Sequence, residues 1–224
     1  MDMDLNDKEV RVLACLIEKE LTTPEYYPLS LNALINACNQ KSNRNPVLSL
    51  DEPAVLKGID GLRQKGLARE SRAAGDRVSK YYHELSFRFD LSRQEMAVIC
   101  ELMLRGPQTP GELRANTGRM APFESLAGGH PMPGAEEALR ALIEHDPPLV
   151  VKLARETGRK ESRYAHLFSG GQAAGSAPLG GEGQAAARSE ATEDELSELK
   201  EDIARLRSEL EELRREFEKF KGQF

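Results

Sequence analysis

Asn39-Gln40-Lys41-Ser42-Asn43-Arg44-Asn45-Pro46 is an almost unbroken polar run, set between an apolar helical pattern that ends at Cys38 and another that begins near Ser49. Ser49 followed three residues later by Glu52 reads as a capping box, and Pro53 is tolerated in a first turn, where backbone N–H groups have no intrahelical partner. Val55, Ile59 and Leu62 then recur on one helical face with Leu56 beside them, while Lys57, Asp60, Arg63, Gln64 and Lys65 point elsewhere. Gly66 supplies a stop. A polar turn entering a short helix with one face anchored and one face outward is the arrangement of a helix-turn-helix.

Upstream, Leu5 to Leu21 reads as a helix capped by Asn6 or Asp7, with Val10, Leu13, Leu16 and Ile17 on one face. A two-proline loop from Thr22 to Pro28 follows, and Ser30 caps a second helix bearing Leu31, Leu34, Ile35 and Cys38. Downstream, Leu67 to Ser71 and Val78 to Leu85, broken at Ala74-Gly75-Asp76, read as the strands of a hairpin. Three helices and a hairpin is the order of a winged helix.

The pattern is written twice. Leu5, Glu9, Leu13 and Leu16 recur at a constant offset as Leu91, Glu95, Ile99 and Leu102. At the same offset, Thr23-Pro24 recurs as Thr109-Pro110, and Leu67-Ala68-Arg69-Glu70 as Leu153-Ala154-Arg155-Glu156. Lys80-Tyr81 and His83 are matched by Arg163-Tyr164 and His166. The second copy has a Pro- and Gly-rich loop, Pro122 to Gly134, in place of the polar turn, and its third helix, Ala135 to His145, carries Arg140 as its only basic residue besides His145. Its wing is more basic, with Lys152, Arg155, Arg159, Lys160 and Arg163 around Gly158.

Thr22-Thr23-Pro24-Glu25, Tyr27-Pro28, Cys38-Asn39-Gln40-Lys41, Asn43-Arg44, Pro46-Val47, Gln108 to Arg114, Arg163-Tyr164 and His166-Leu167-Phe168 together resemble the YceH-like family of uncharacterised bacterial proteins. The resemblance spans about residues 5–170 and implies a tandem winged-helix fold of DNA-binding type, with no reaction or ligand attached to it.

Residues 169–192 are rich in Gly, Ala, Ser and Gln, a composition that buries no core, and a flexible linker of this kind spans about 27 Å. From there Leu196, Leu199, Ile203, Leu206, Leu210, Leu213, Phe217, Phe220 and Phe224 alternate spacings of three and four, the a and d positions of a coiled coil about 43 Å long. Glu195, Asp202, Glu209 and Glu216 fill g, and Lys200, Arg207, Arg214 and Lys221 fill the following e positions. Parallel pairing sets these charges in opposition and antiparallel pairing sets like against like, so a parallel homodimer is expected. The alternative is a tail folded back on its own body.

The expected fold is therefore mainly α with small β-hairpins (α+β). Two winged-helix domains, 1–88 and 89–169, are followed by a flexible linker, 170–192, and a coiled coil, 193–224.

Bulk composition narrows the function. The net charge is −6, but residues 1–168 hold 23 Lys and Arg against 24 Asp and Glu, so the tail carries most of the acidity. Three cysteines, Cys15, Cys38 and Cys100, are too few and too scattered for a disulfide framework and read as buried thiols. The acidic N-terminus has no apolar core of a signal peptide and no apolar run reaches membrane-spanning length, which points to the cytoplasm. No Walker loop or G-x-S-x-G elbow occurs, and the histidines show no metal spacing with the cysteines; His130 alone, in its Gly-Gly-His-Pro loop, stands apart. Neither enzyme activity nor a cofactor is expected.

The basic residues decide the expected function. Lys41, Arg44, Lys57, Arg63, Lys65, Arg77 and Lys80 of the first copy, with Arg159 and Lys160 of the second, fall on turn, third helix and wing tip, the parts of a winged helix that touch DNA. Asn43, Asn45 and Gln64 add groups able to read base edges. Lys41, Arg44 and Arg77 are expected on phosphates, and Asn43, Lys57 and Gln64 toward the groove, in a dimeric DNA binder of transcription-regulator type. The alternative is a scaffold that docks proteins on the same surfaces, with the charges solvated.

Overall fold

A computed structural model describes residues 4–72, 78–121, 134–155 and 159–170. Among them, seven helices and five short antiparallel strands form a mixed α/β body. Arg77, His130 and the rest of the loop 122–133, and the chain from residue 171 on lie outside the described residues.

Helix α1 (Asp7–Thr22) starts with a full capping box: the Asn6 side chain accepts from the N–H of Glu9, whose carboxylate returns to the N–H of Asn6. Helix α2 (Leu31–Cys38) is capped by Ser30. Helix α3 (Glu52–Gln64) is capped by Asp51, whose carboxylate accepts from Ala54 N–H at 3.0 Å, and not by Ser49 as its spacing predicts. The reason is Pro53. A start at Ser49 would put Pro53 where the first intrahelical N–H is required, whereas a start at Asp51 puts it in the first turn.

Strands β1 (Leu29–Ser30), β2 (Ala68–Ser71) and β3 (Lys80–His83) form one sheet in the order β1-β3-β2, with Leu29 opposite Tyr81 and Ala68 opposite His83. A short helix, α4 (Leu85–Phe89), leads out through Asp90 in the left-handed region. Neither β1 nor α4 is visible in the hydrophobic pattern, since both are shorter than any period it could reveal.

The second half repeats the order with α5 (Arg93–Arg105), α6 (Pro110–Thr117), α7 (Ala135–Glu144), β4 (Val150–Lys152) and β5 (Tyr164–His166). Ser92 and Glu95 cap α5 as Asn6 and Glu9 cap α1. A single bridge between Gln108 and Tyr164 stands where β1 meets β3.

The constant offset holds only for these first helices. Thr109 caps α6 as Ser30 caps α2, whereas Thr23 precedes a 3-10 turn (Pro24–Tyr26). The likeness of Thr23-Pro24 to Thr109-Pro110 is therefore not a structural equivalence. Nor is that of Leu67-Ala68 to Leu153-Ala154. The counterpart of Leu67 is Leu149, because Leu67 O accepts from Glu84 N–H and Leu149 O from Leu167 N–H, each at 2.9 Å. Burial decides this register: Leu149 and Val150 are buried as Leu67 and Ala68 are, while Ala154 is exposed.

The centre of the body is α1 packed along α5, both buried nearly all round. Small residues let the two backbones approach, and Cys100 Sγ donates to Ala14 O at 3.3 Å, between equivalent positions of the two repeats. One apolar core runs from Leu5 to Phe168, and Leu5 N–H donates to Phe168 O at 2.7 Å. The expected boundary at 88 and 89 falls inside α4.

Candidate nucleic-acid interface

The polar run 39–46 is tied into the body more than it is presented. Asn39 closes the loop by exchanging hydrogen bonds with Leu50 through its side chain, at 2.7 and 2.8 Å. Arg11 of α1 reaches both ends of the run, donating to Cys38 O at 3.2 Å and Pro46 O at 2.6 Å. The carbonyls of Cys38 and Ala37 lie at the end of α2, where a helix leaves acceptors unpaired.

Arg44 overturns its expected role as a phosphate contact. Its side chain is fully buried and forks onto Glu18, Nη1 to Oε1 at 3.1 Å and Nη2 to Oε2 at 2.5 Å. It also donates to Ala37 O and Gln40 Oε1. The cause is Glu18, a carboxylate with no solvent exposure, which needs a buried counter-charge. Arg119, from the second repeat, donates to the same Glu18 at 2.6 Å. Burial pushes the Glu18 carboxyl up, but Arg44 and Arg119 outweigh it and hold it below the ordinary carboxylate value. Arg44 is likewise lowered by desolvation and more than recovered by Glu18, so it stays above its usual value.

The other turn residues meet the second repeat. Asn43 sits in the left-handed region, φ 56°, with its carbonyl oxygen Oδ1 accepting from Arg105. Asn45 N–H donates to Leu104 O at 2.8 Å. Asn43 and Asn45 are thus spent on the junction: Asn45 supplies donors to the last carbonyls of α5, and Asn43 supplies an acceptor to the Arg105 guanidinium. Lys41 remains exposed.

On α3, Lys57 and Gln64 are exposed, opposite the buried Val55, Ile59 and Leu62. Arg63 is exposed but shared between Asp60 at 3.3 Å and Glu70 at 3.2 Å. Lys65 turns back to Glu9 at 2.6 Å and Asp4 O at 2.9 Å. That pairing removes it from the outward face, since Glu9 is itself nearly buried. Lys80 is half-buried at the start of β3, and Arg159 and Lys160 are exposed in the second repeat. The structure thus brings Lys57, Arg63 and Gln64 together on α3 and sets Arg44, Asn43 and Lys65 apart from them.

Sequence reasoning missed Glu18, Arg105 and Arg119. The one available signal was the pair of small residues Ala14-Cys15 on the face of α1 away from Leu13 and Leu16, where another helix could approach closely and bury the charge beside them.

Two further pairs contrast the repeats. His83 accepts from Leu85 N–H on Nδ1 at 3.1 Å and turns Nε2 toward Glu20. His166, at the matching place, is buried with Nδ1 unpartnered among the described residues, and burial lowers it to about 4. Glu101 on α5 is as buried as Glu18 but only lies near Arg105 Nε at 3.0 Å and Arg119 at 3.7 Å, with neither oxygen in a hydrogen bond among the described residues. Burial pushes its carboxyl up despite these arginines. Cys15, Cys38 and Cys100 are all buried free thiols.

The class these features define is a two-repeat α/β body whose halves share one core and a buried charge network across their junction. The chain belongs to the family described as "protein of unknown function, DUF480", whose pattern matches residues 5–159 and so covers the first repeat and most of the second. A UPF0502 protein of Geotalea uraniireducens is 54% identical over the whole of both chains. UPF0502 proteins of Pelobacter propionicus and Koribacter versatilis are 60% and 55% identical over about three quarters of each chain. Among the described residues no helix is long and apolar enough to cross a membrane.

Proposed function

We propose that this protein binds double-stranded DNA as a regulator-type dimer, with each repeat a winged helix and the first making the contact. The reading rests on one observation: α3 buries Val55, Ile59 and Leu62 while turning Lys57, Arg63 and Gln64 outward. The order α1-α2-α3-β2-β3, with β1 added to the sheet edge, supports the winged-helix assignment, as does the resemblance to YceH-like proteins. The second repeat is the weaker reader, because α7 exposes Glu136 and Glu137 beside its single Arg140. Dimerisation through 193–224 is inferred from the heptads alone, and a monomer in sedimentation equilibrium would remove it.

A docking role is favoured by a separate observation, the exposure of Phe87 at 87% and Tyr26 at 72%. Salt dependence separates the two. Full-length protein titrated onto sheared duplex DNA should lose affinity steeply with salt, and Lys41→Ala, which removes an expected phosphate contact, should flatten the slope by about one. Absence of binding at low salt would overturn the DNA reading. Arg44→Ala is unsuited to this test, because it strikes the core.

A further inference from the structure

A cleft of about 290 Å³ opens where the polar turn of the first repeat meets the end of α5, α6 and the approach to β5. A volume of this order holds a small ligand and no more. The lining is donor-rich: Asn45, Arg105, Gln108, Asn116 and Arg163 present amides and guanidiniums, Glu112 is its one carboxylate, and Pro107 its one apolar residue. Asn43 and Arg44 complete the wall from the first repeat. Such a surface matches a ligand made mostly of acceptor oxygens.

The donors are held in place by a supporting layer. Arg163 is anchored by Nη1 on Pro107 O at 2.7 Å, and its Nη2 rests on Glu112 at 3.2 Å. Arg105 is anchored by Asn43 Oδ1 and the nearby Glu101. Asn116 donates to Gln108 Oε1 at 2.7 Å, and Gln108 to Glu101 O at 3.2 Å. A guanidinium has five N–H donors, so these contacts leave both arginines able to take more. Their side chains are 28% and 24% exposed, reachable from solvent yet desolvated enough for charge to count.

We propose that this cleft binds a small oxyanion, a phosphate- or carboxylate-bearing metabolite, held between Arg105 and Arg163. Glu112 is the internal stand-in for it. Its Oε2 belongs to the capping box of α6, accepting from Thr109 N–H at 2.8 Å, while Oε1 occupies Arg163 until a ligand arrives. Because the walls come from both repeats, an occupied cleft bridges them. The site does not depend on the DNA reading, and it is tested without DNA.

The experiment is calorimetric titration of the full-length protein with inorganic phosphate and, separately, with citrate, at ionic strength fixed with sodium chloride. Saturable binding of at least one of them is expected, and which one binds names the ligand class. Arg163→Gln should weaken it by about tenfold or more. Glu112→Gln should tighten it, since glutamine keeps the capping box but frees Arg163. Arg114→Gln, which removes the same charge from the exposed side of α6, should leave it unchanged. Binding of neither anion, equal loss in Arg163→Gln and Arg114→Gln, or weaker binding in Glu112→Gln would each overturn the site. If Arg163→Gln does not fold, the sign of the Glu112→Gln effect decides.

Discussion

Glu18 and Glu101 sit on the two central helices, each without solvent exposure, yet they are treated differently. Glu18 accepts from two arginines in good geometry and stays ionised. Glu101 lies beside two arginines without a hydrogen bond from either, and burial draws it toward its neutral form. A related contrast separates His83, which accepts from Leu85 N–H on Nδ1 and turns Nε2 toward the Glu20 carboxylate, from His166, with its Nδ1 unpartnered among the described residues. The first repeat satisfies its buried carboxylate, partly with an arginine borrowed from the second. The second leaves Glu101 less well paired, so acid and mutation should act on the two carboxylates unequally.

The largest effect is expected at Arg44. Arg44→Ala leaves buried Glu18 with Arg119, whose side chain is 37% exposed, and the more distant Lys19 at 3.8 Å, and breaking a buried pair in this way costs about 3–5 kcal/mol. Arg105→Ala should cost far less, about 1 kcal/mol, because its partner Glu101 is already displaced toward neutrality. Urea unfolding midpoints of the two variants measure the difference. Equal losses would break the comparison.

Acid should act through His166. The unfolded chain takes up a proton near the ordinary histidine value of about 6.5, whereas the folded site resists until about 4. Protons therefore favour the unfolded state within that window. Stability is full above it and falls with pH by a total on the order of 3 kcal/mol. His166→Gln should remove this part of the slope in urea titrations across the window, and His83→Gln should leave it in place. A slope unchanged in His166→Gln would place the acid sensitivity elsewhere.

What the sequence disclosed follows the same divide between apolar pattern and polar pairing. Val10, Leu13, Leu16 and Ile17 announce α1, Ser30 announces α2, and Val55, Ile59 and Leu62 announce the buried face of α3, because periodicity and caps are local. The repeat was legible through Leu5 and Leu91, but its register was not. A segment ending in Ser30 is inserted before α2, and only strand pairing shows that Leu149 answers Leu67. Of the candidate site, Lys57 and Gln64 were readable as outward residues of an amphipathic helix. Arg44 and Asn43 were not, because their partners, Glu18 and Arg105, are distant in sequence and look like surface charges until α1 and α5 pack.

The smallest effect is the most discriminating, because it should reverse sign between the two carboxylates. Glu101 has its folded carboxyl raised, so its ionisation destabilises the protein as pH climbs from the unfolded carboxylate value through the folded one. Glu101→Gln removes that ionisation, and it leaves Arg105 and Arg119 partly solvated, able to rehydrate. A gain in stability at neutral pH, vanishing in acid, is expected from urea unfolding at the two pH values. Glu18→Gln should lose stability at neutral pH, since Arg44 is then left charged with no solvent to receive it. Losses of the same size in both variants would mean that Glu101 is paired as firmly as Glu18, and the asymmetry between the repeats would be confined to their histidines.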